Sequence, residues 1–211
     1  MACQSSRQIR RHVSLLRKLT GDKTLRESSL PFDWLICPPE SAAHMLADSA
    51  SFPDSPGEIQ YQGGWPRWVK YNAYFWHEFL VRGTHIPIAE GFEKSRSKFL
   101  HLWQKFANLS AVPRRIFFIS NTQNNLDKVQ EWTRTIDPMF TPEPIEQLIR
   151  SVNARFPCGE NEFVVVSYTS RLRPGSTFKG ARMELIQKDP SDWEGSDDEW
   201  DRVLAKTFAA K

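Results

Sequence analysis

Ile9, Val13 and Leu16 recur at helical spacing in a run otherwise rich in Arg, Gln and Ser. They predict a helix over 4–20 that stops at Gly21, with Ser5 or Ser6 capping its start. SSLPFDWLICPPE (28–40) is bounded by prolines yet carries Phe32, Trp34, Leu35 and Ile36, which predicts an irregular stretch pressed into the core. A short helix over 41–48 follows. Residues 49–67 are dense in Pro, Gly, Ser and Asp and predict an exposed loop. From Trp68 to Arg82 the period changes to two: Ala73, Phe75, His77, Phe79 and Val81 share a face, as in a strand or hairpin. The helical period returns over 91–107 with Phe92, Phe99, Trp103 and Phe106. RIFFIS (115–120) reads as a buried strand, helices are expected over about 124–135 and 143–155, and EFVVVSY (162–168) is the clearest strand. Ser196 and Glu199 form a capping-box pattern ahead of Trp200, Val203, Leu204 and Phe208. Helices and strands mix without strict alternation, repeat or long linker. The expectation is one α+β domain over 1–211.

Composition adds little to that outline, but charge adds something. Fourteen Phe and eight Trp among 211 residues call for a core of large rings or a cleft lined by them. A net charge of +3 conceals an asymmetry. Arg7, Arg10, Arg11, Arg17 and Lys18 crowd the first helix; Asp189, Asp192, Glu194, Asp197, Asp198 and Glu199 crowd the C-terminal end. A basic helix can meet nucleic acid, but no nucleic-acid motif accompanies it, and solvated helix faces are the favoured reading. Three cysteines (Cys3, Cys37, Cys158) cannot all pair, which suits free thiols in a reducing compartment. With no signal peptide and no apolar run of membrane length, a cytoplasmic protein without a membrane partner is expected. There is no Walker loop, no GxGxxG after a strand and no Cys/His pair at zinc spacing, so neither cofactor nor metal is expected.

What remains for chemistry is cysteine and histidine. Cys3 stands at the predicted start of the first helix, where unpaired N–H groups and the macrodipole favour a thiolate. Arg7, one turn on, would add to this, and the same N–H groups could hold an oxyanion. The bland alternative is a buried or unstructured terminal cysteine. His77, in YFWHEFL, is the candidate general base, against the alternative of a satisfied core histidine. A base needs an orienting partner on its second nitrogen. Asn121 in SNTQNNL is the first choice, with Asn124 and Asp33 behind it; the alternative for SNTQNNL is a polar turn capping the next helix. Trp65, Trp68, Tyr71, Tyr74 and Trp76 offer a different function, a non-catalytic cleft for a glycan or peptide, unless they simply pack the core.

Taken in order, Cys3-Gln4, Gln8-Ile9-Arg10-Arg11-His12, Pro31-Phe32-Asp33-Trp34 and Phe75-Trp76-His77-Glu78-Phe79 form a pattern. It resembles the papain-like cysteine peptidases of bacterial genomes, a family long known only as a domain of unknown function. The basic, aromatic helix of Phe92–Phe106 and the WEGSDDEWD ending (193–201) fit the same outline. The resemblance implies a papain-like fold, Cys3 as nucleophile and His77 as general base. A peptide or acyl substrate cleaved at an amide or ester is expected, with Gln4, Asp33, Trp34 and Trp76 as substrate-contacting candidates. An acyltransferase using the same pair is the nearest alternative. The glutamine that papain-type enzymes place ahead of the nucleophile is missing from the two residues before Cys3, so either another donor (Gln4 or a backbone N–H) serves the oxyanion, or the start is truncated, or the site is degenerate.

Overall fold

A computed structural model describes residues 3–123, 126–187 and 195–209, except for the side chains of Cys3, Gln4, Ser5 and Ala209. In chain order it places α1 (Cys3–Arg11), α2 (Val13–Thr20), β1 (Leu35–Ile36), α3 (Pro39–Ala47), β2 (Ile59–Gln62), β3 (Trp65–Trp68), β4 (Ala73–Phe75), β5 (Leu80–Val81), β6 (Thr84–His85) and α4 (Ile88–Ala107). The second half holds β7 (Arg114–Ser120), α5 (Leu126–Thr133), α6 (Pro142–Arg155), β8 (Glu160–Tyr168), β9 (Arg182–Ile186) and α7 (Asp197–Ala209). Antiparallel strands in the order β1-β4-β3-β2 form one sheet, and parallel strands β7-β8-β9 form another. Helix and sheet are therefore mixed, with the two strand types segregated along the chain, as an α+β reading requires.

The aromatic residues build much of the core. Phe52 lies 5.3–5.4 Å from the rings of Phe75, Phe92 and Phe99, filling the space between the antiparallel sheet and α4. Phe106 and Phe156 continue this packing between α4 and the parallel sheet, at 5.1 Å. Phe32 and Trp103 pack against both groups and join the two halves. Ring pairs at these separations add roughly 0.5–1.5 kcal/mol each beyond area burial.

Three local expectations are corrected. The first helix is two, because the chain bends at His12. Its Nδ1 lies 2.6 Å from the Gln8 carbonyl and its Nε2 2.9 Å from the Asp201 carboxylate, which pins the residue between α1 and α7. Gly21 does end α2, in the left-handed conformation. The stretch 49–67 is not all loop. It contains the β2–β3 hairpin, whose Gly63-Gly64 turn has φ of 58° and 83°, the geometry that a two-residue hairpin loop requires. The period-two run over 68–82 stops after Phe75. Residues 76–79 form a turn, Phe79 takes φ of 58°, and the face that alternation assigned to His77 and Val81 does not exist. Phe75 and Phe79 are buried, whereas His77 and Val81 are exposed.

The two charged ends meet each other. Gln8 Nε2 donates to the Gly195 carbonyl at 3.3 Å, Arg11 pairs with Asp197, and His12 reaches Asp201. The basic helix thus spends part of its charge inside the molecule. Asp189, Asp192 and Glu194 lie outside the described residues.

Candidate active site

The PFDW segment is a single 3-10 turn, Pro31–Trp34, running straight into β1. Pro31 presets its first φ, and the Asp33 carboxylate accepts from the Leu30 N–H at 2.9 Å, closing the turn on itself. Strand β1 pairs with β4 through Leu35↔Phe75, so Trp34 and Trp76, one step outside that register, flank the same end of the ladder. The turn that follows β4 then brings His77 against Trp34, edge to face with ring centroids 5.9 Å apart. Two motifs separated by some forty residues meet because a short antiparallel pair binds their flanks.

A cleft of about 550 Å³ opens at this junction. One wall is His77, Trp34 and Asp33; the other is Arg7, Arg10 and Arg11 of α1, with Glu27 at the rim. At 100° per residue, position 3 falls on the same helical stripe as Arg7 and Arg10. Its backbone begins the helix, while the Cys3 side chain lies outside the described residues, as does that of Gln4.

Behind His77 stands a charged frame that sequence reasoning missed. Glu78 is only 7% exposed, accepts from Ser95 Oγ at 2.9 Å and pairs with Lys98. The Lys98 ammonium in turn sits 3.3 Å from the centroid of the Trp34 ring. His77 is consequently held below the usual imidazole range, first by desolvation and then by the Lys98 charge, with Glu78 opposing. It is neutral at neutral pH and able to accept a proton. Asp33 goes the other way. Burial raises its carboxyl above the usual range, against the Leu30 N–H, the Arg10 charge and the Ser6 hydroxyl, which pull it down. Arg10 also donates to Ser6 Oγ at 2.8 Å, so guanidinium, hydroxyl and carboxyl form a chain across the cleft wall.

The remaining candidates lie apart from this site. Asn121 is fully buried at the end of β7, where its Nδ2 donates to the carbonyls of Pro138 at 2.8 Å and Arg171 at 3.3 Å. It ties the parallel sheet to the segments beside it; Asn124 lies outside the described residues. Trp76 does not turn its face to the cleft but stacks on Trp65, centroids 3.7 Å apart and planes 19° from parallel. Trp68, Tyr71 and Tyr74 are buried, so the five rings form no common wall for a sugar or peptide. Of the other thiols, Cys158 is exposed, while Cys37 is buried and burial pushes it up to about 12.

Among the described residues no group of three or more His, Cys, Asp and Glu could hold a metal ion, and no helix is long and apolar enough to cross a membrane. No protein-family model matches the chain, and no curated protein or solved structure matches it.

Proposed function

We propose that the protein is a cysteine-dependent hydrolase of papain-like chemistry, acting on an amide or ester through Cys3 and His77. One observation carries the reading: His77, the PFDW turn and the Arg7/Arg10 stripe on which position 3 falls line a single cleft. The helix start at Cys3 favours a thiolate there, with Arg7 one turn behind. The thiolate sulfur bonds to the substrate carbonyl carbon and the carbonyl pair moves onto oxygen, where N–H groups of the first turn of α1 receive it. The C–N or C–O bond then breaks, and the leaving group takes the proton that His77 accepted from the thiol. Water attacks the thioester and gives its proton to His77. The carboxylic product leaves, and the proton returns to the sulfur.

The exposure of His77 leaves the thioester open to water, which favours hydrolysis over transfer to another acceptor. Lys98 and Glu78 serve as positioning residues: one holds Trp34 against the imidazole, and both set its charge. The test is an iodoacetamide competition on the full chain, with Cys3→Ala and His77→Gln variants. Cys3 should be carboxamidomethylated fastest, and more slowly in His77→Gln. Faster labelling of Cys158, or a rate at Cys3 indifferent to His77, overturns the proposal.

A further inference from the structure

Beside the cleft lies a second compartment, a cavity of about 210 Å³ between α1, the PFDW turn and β7. Ile9, Phe32, Phe106 and Phe118 are among its apolar walls, and Ser6 and Asp33 are among its polar ones. Asp33 borders both spaces, so cavity and cleft adjoin at the PFDW turn. Close-packed interiors hold few voids larger than a water molecule, and an empty one of this size is destabilising. A void lined by Leu, Ile and Phe stays dry and takes apolar guests; one of about 150 Å³ accommodates benzene. Scaled on carbon count, 210 Å³ holds a chain of about eight carbons. Polarity reverses on the cleft side, where the described lining includes three guanidiniums and His77 beside the carboxyl groups of Glu27 and Asp33.

The geometry points to a medium-chain acyl group as the ligand of this site. The hydrocarbon occupies the cavity, the carboxyl-derived carbon lies at the Asp33 border, and the polar remainder lies among the arginines. The cleavage of such an acyl compound rests on the hydrolase reading above; its binding does not. Chain length is the discriminating property, since a twelve-carbon chain needs about half as much volume again as the cavity provides. Arg10 is the head-group contact best placed, being anchored through Ser6 beside Asp33.

Calorimetric titration of the full chain with sodium butyrate, octanoate and dodecanoate tests this. Octanoate should bind at least tenfold tighter than either of the others. Ala42→Phe, which fills the cavity from α3, should cost octanoate at least tenfold. Should that variant not fold, Phe118→Leu enlarges the same space and should shift the preference toward dodecanoate. Arg10→Gln should weaken all three carboxylates alike. Affinity that ignores chain length, or a preference unmoved by Phe118→Leu, overturns the inference. The titrations are repeated in Cys3→Ser. Chain-selective binding with an unreactive Cys3 would refute the hydrolase reading alone, whereas a reactive Cys3 without octanoate binding would refute the ligand assignment alone.

Discussion

Lys98→Met is the perturbation that most directly probes the frame behind His77. The substitution keeps the stem and removes the ammonium, which is paired with a carboxylate only 8% exposed and stacked on Trp34. Removing one partner of a buried ion pair costs about 3–5 kcal/mol. The Lys98 side chain is 33% exposed, so solvent screens part of this and roughly 1.5–3 kcal/mol remains. Loss of the cation–π contact adds about 0.5–1 kcal/mol. The expected loss is about 2–4 kcal/mol, which for a chain of this size lowers Tm by roughly 4–16 °C. The cause would be the stranded Glu78 carboxylate, so Glu78→Gln in the same chain should recover much of the loss, since the amide still accepts from Ser95. Urea unfolding of wild type, both single variants and the double variant closes the cycle, with a coupling of about 1.5–3 kcal/mol expected. A Lys98→Met variant within about 0.5 kcal/mol of wild type, or a double variant no better than it, would refute the reasoning. The same variant should raise the His77 titration followed by NMR, because the Lys98 charge lowers it. The imidazole gains its proton less readily in the folded chain than in the unfolded one. Its contribution to stability is therefore full above about pH 6.5 and is lost as the pH falls through the folded value; Lys98→Met should narrow that loss.

Thiol reactivity should separate the two described cysteines: at pH 8 the thiolate fraction of Cys37 is of order 10⁻⁴, so an aromatic disulfide reagent should reach Cys158 in the native chain and Cys37 only on unfolding. Native-state labelling of Cys37, read by peptide mass spectrometry, would contradict its burial. At the hairpin, a Cβ on Gly63 would stand 2.3 Å from the Trp132 carbonyl oxygen, whereas one on Gly64 meets nothing within 4 Å. Gly63→Ala should therefore cost roughly 3 kcal/mol or more and Gly64→Ala about 1 kcal/mol, from positive φ alone, and equal losses in urea would refute the register. Asn121→Ala should cost about 1–3 kcal/mol by removing the donor to the buried Pro138 carbonyl, while the Arg171 carbonyl keeps the Phe140 N–H, with no movement of the His77 titration. A shifted His77 titration in that variant would restore Asn121 as its orienting partner.

What was legible in the sequence were the elements whose periodicity agrees with their packing. Phe92, Phe99 and Phe106 mark the buried side of α4, and the Val164–Val166 run marks a strand covered on both faces. The failures have physical causes. Gly63-Gly64 between IQYQ and WPRW is a hairpin signal, but Pro66 inside β3 and the prolines before it make the whole stretch read as loop. Strand β9 escaped notice because RMELI reads as a surface segment; Glu184 is 2% exposed only because Arg182, Arg202 and Lys206 surround it. The alternation through His77 misleads because hydrophobicity carries no information on φ, and Phe79 is reached through a turn rather than along a strand. In the site, the PFDW…His order gives parts that converge on the cleft, while the side chain of Cys3 lies outside the described residues. Lys98 and Ser95 come from α4, about twenty residues beyond Glu78, and no local pattern links them to it.

One helix accounts for how those parts stay assembled. At 100° per residue the described side chains of α1, from Ser6 onward, fall on three stripes, each with its own surroundings. Ser6 and Ile9 face the apolar cavity, Arg7, Arg10 and Arg11 face the cleft, and Gln8 reaches Gly195 just ahead of α7. A nine-residue helix is too short to be stable alone, so its position is set by those contacts. Gln8 and His12 fix the face opposite the cleft, and past the bend at His12 it is α2 that packs along α7. The acidic C-terminal end and the basic N-terminal helix, which look like two independent charged tails in the sequence, are thus two halves of one clasp. Its effect is to hold the start of α1 beside the PFDW turn, which is where a nucleophile at position 3 would have to stand.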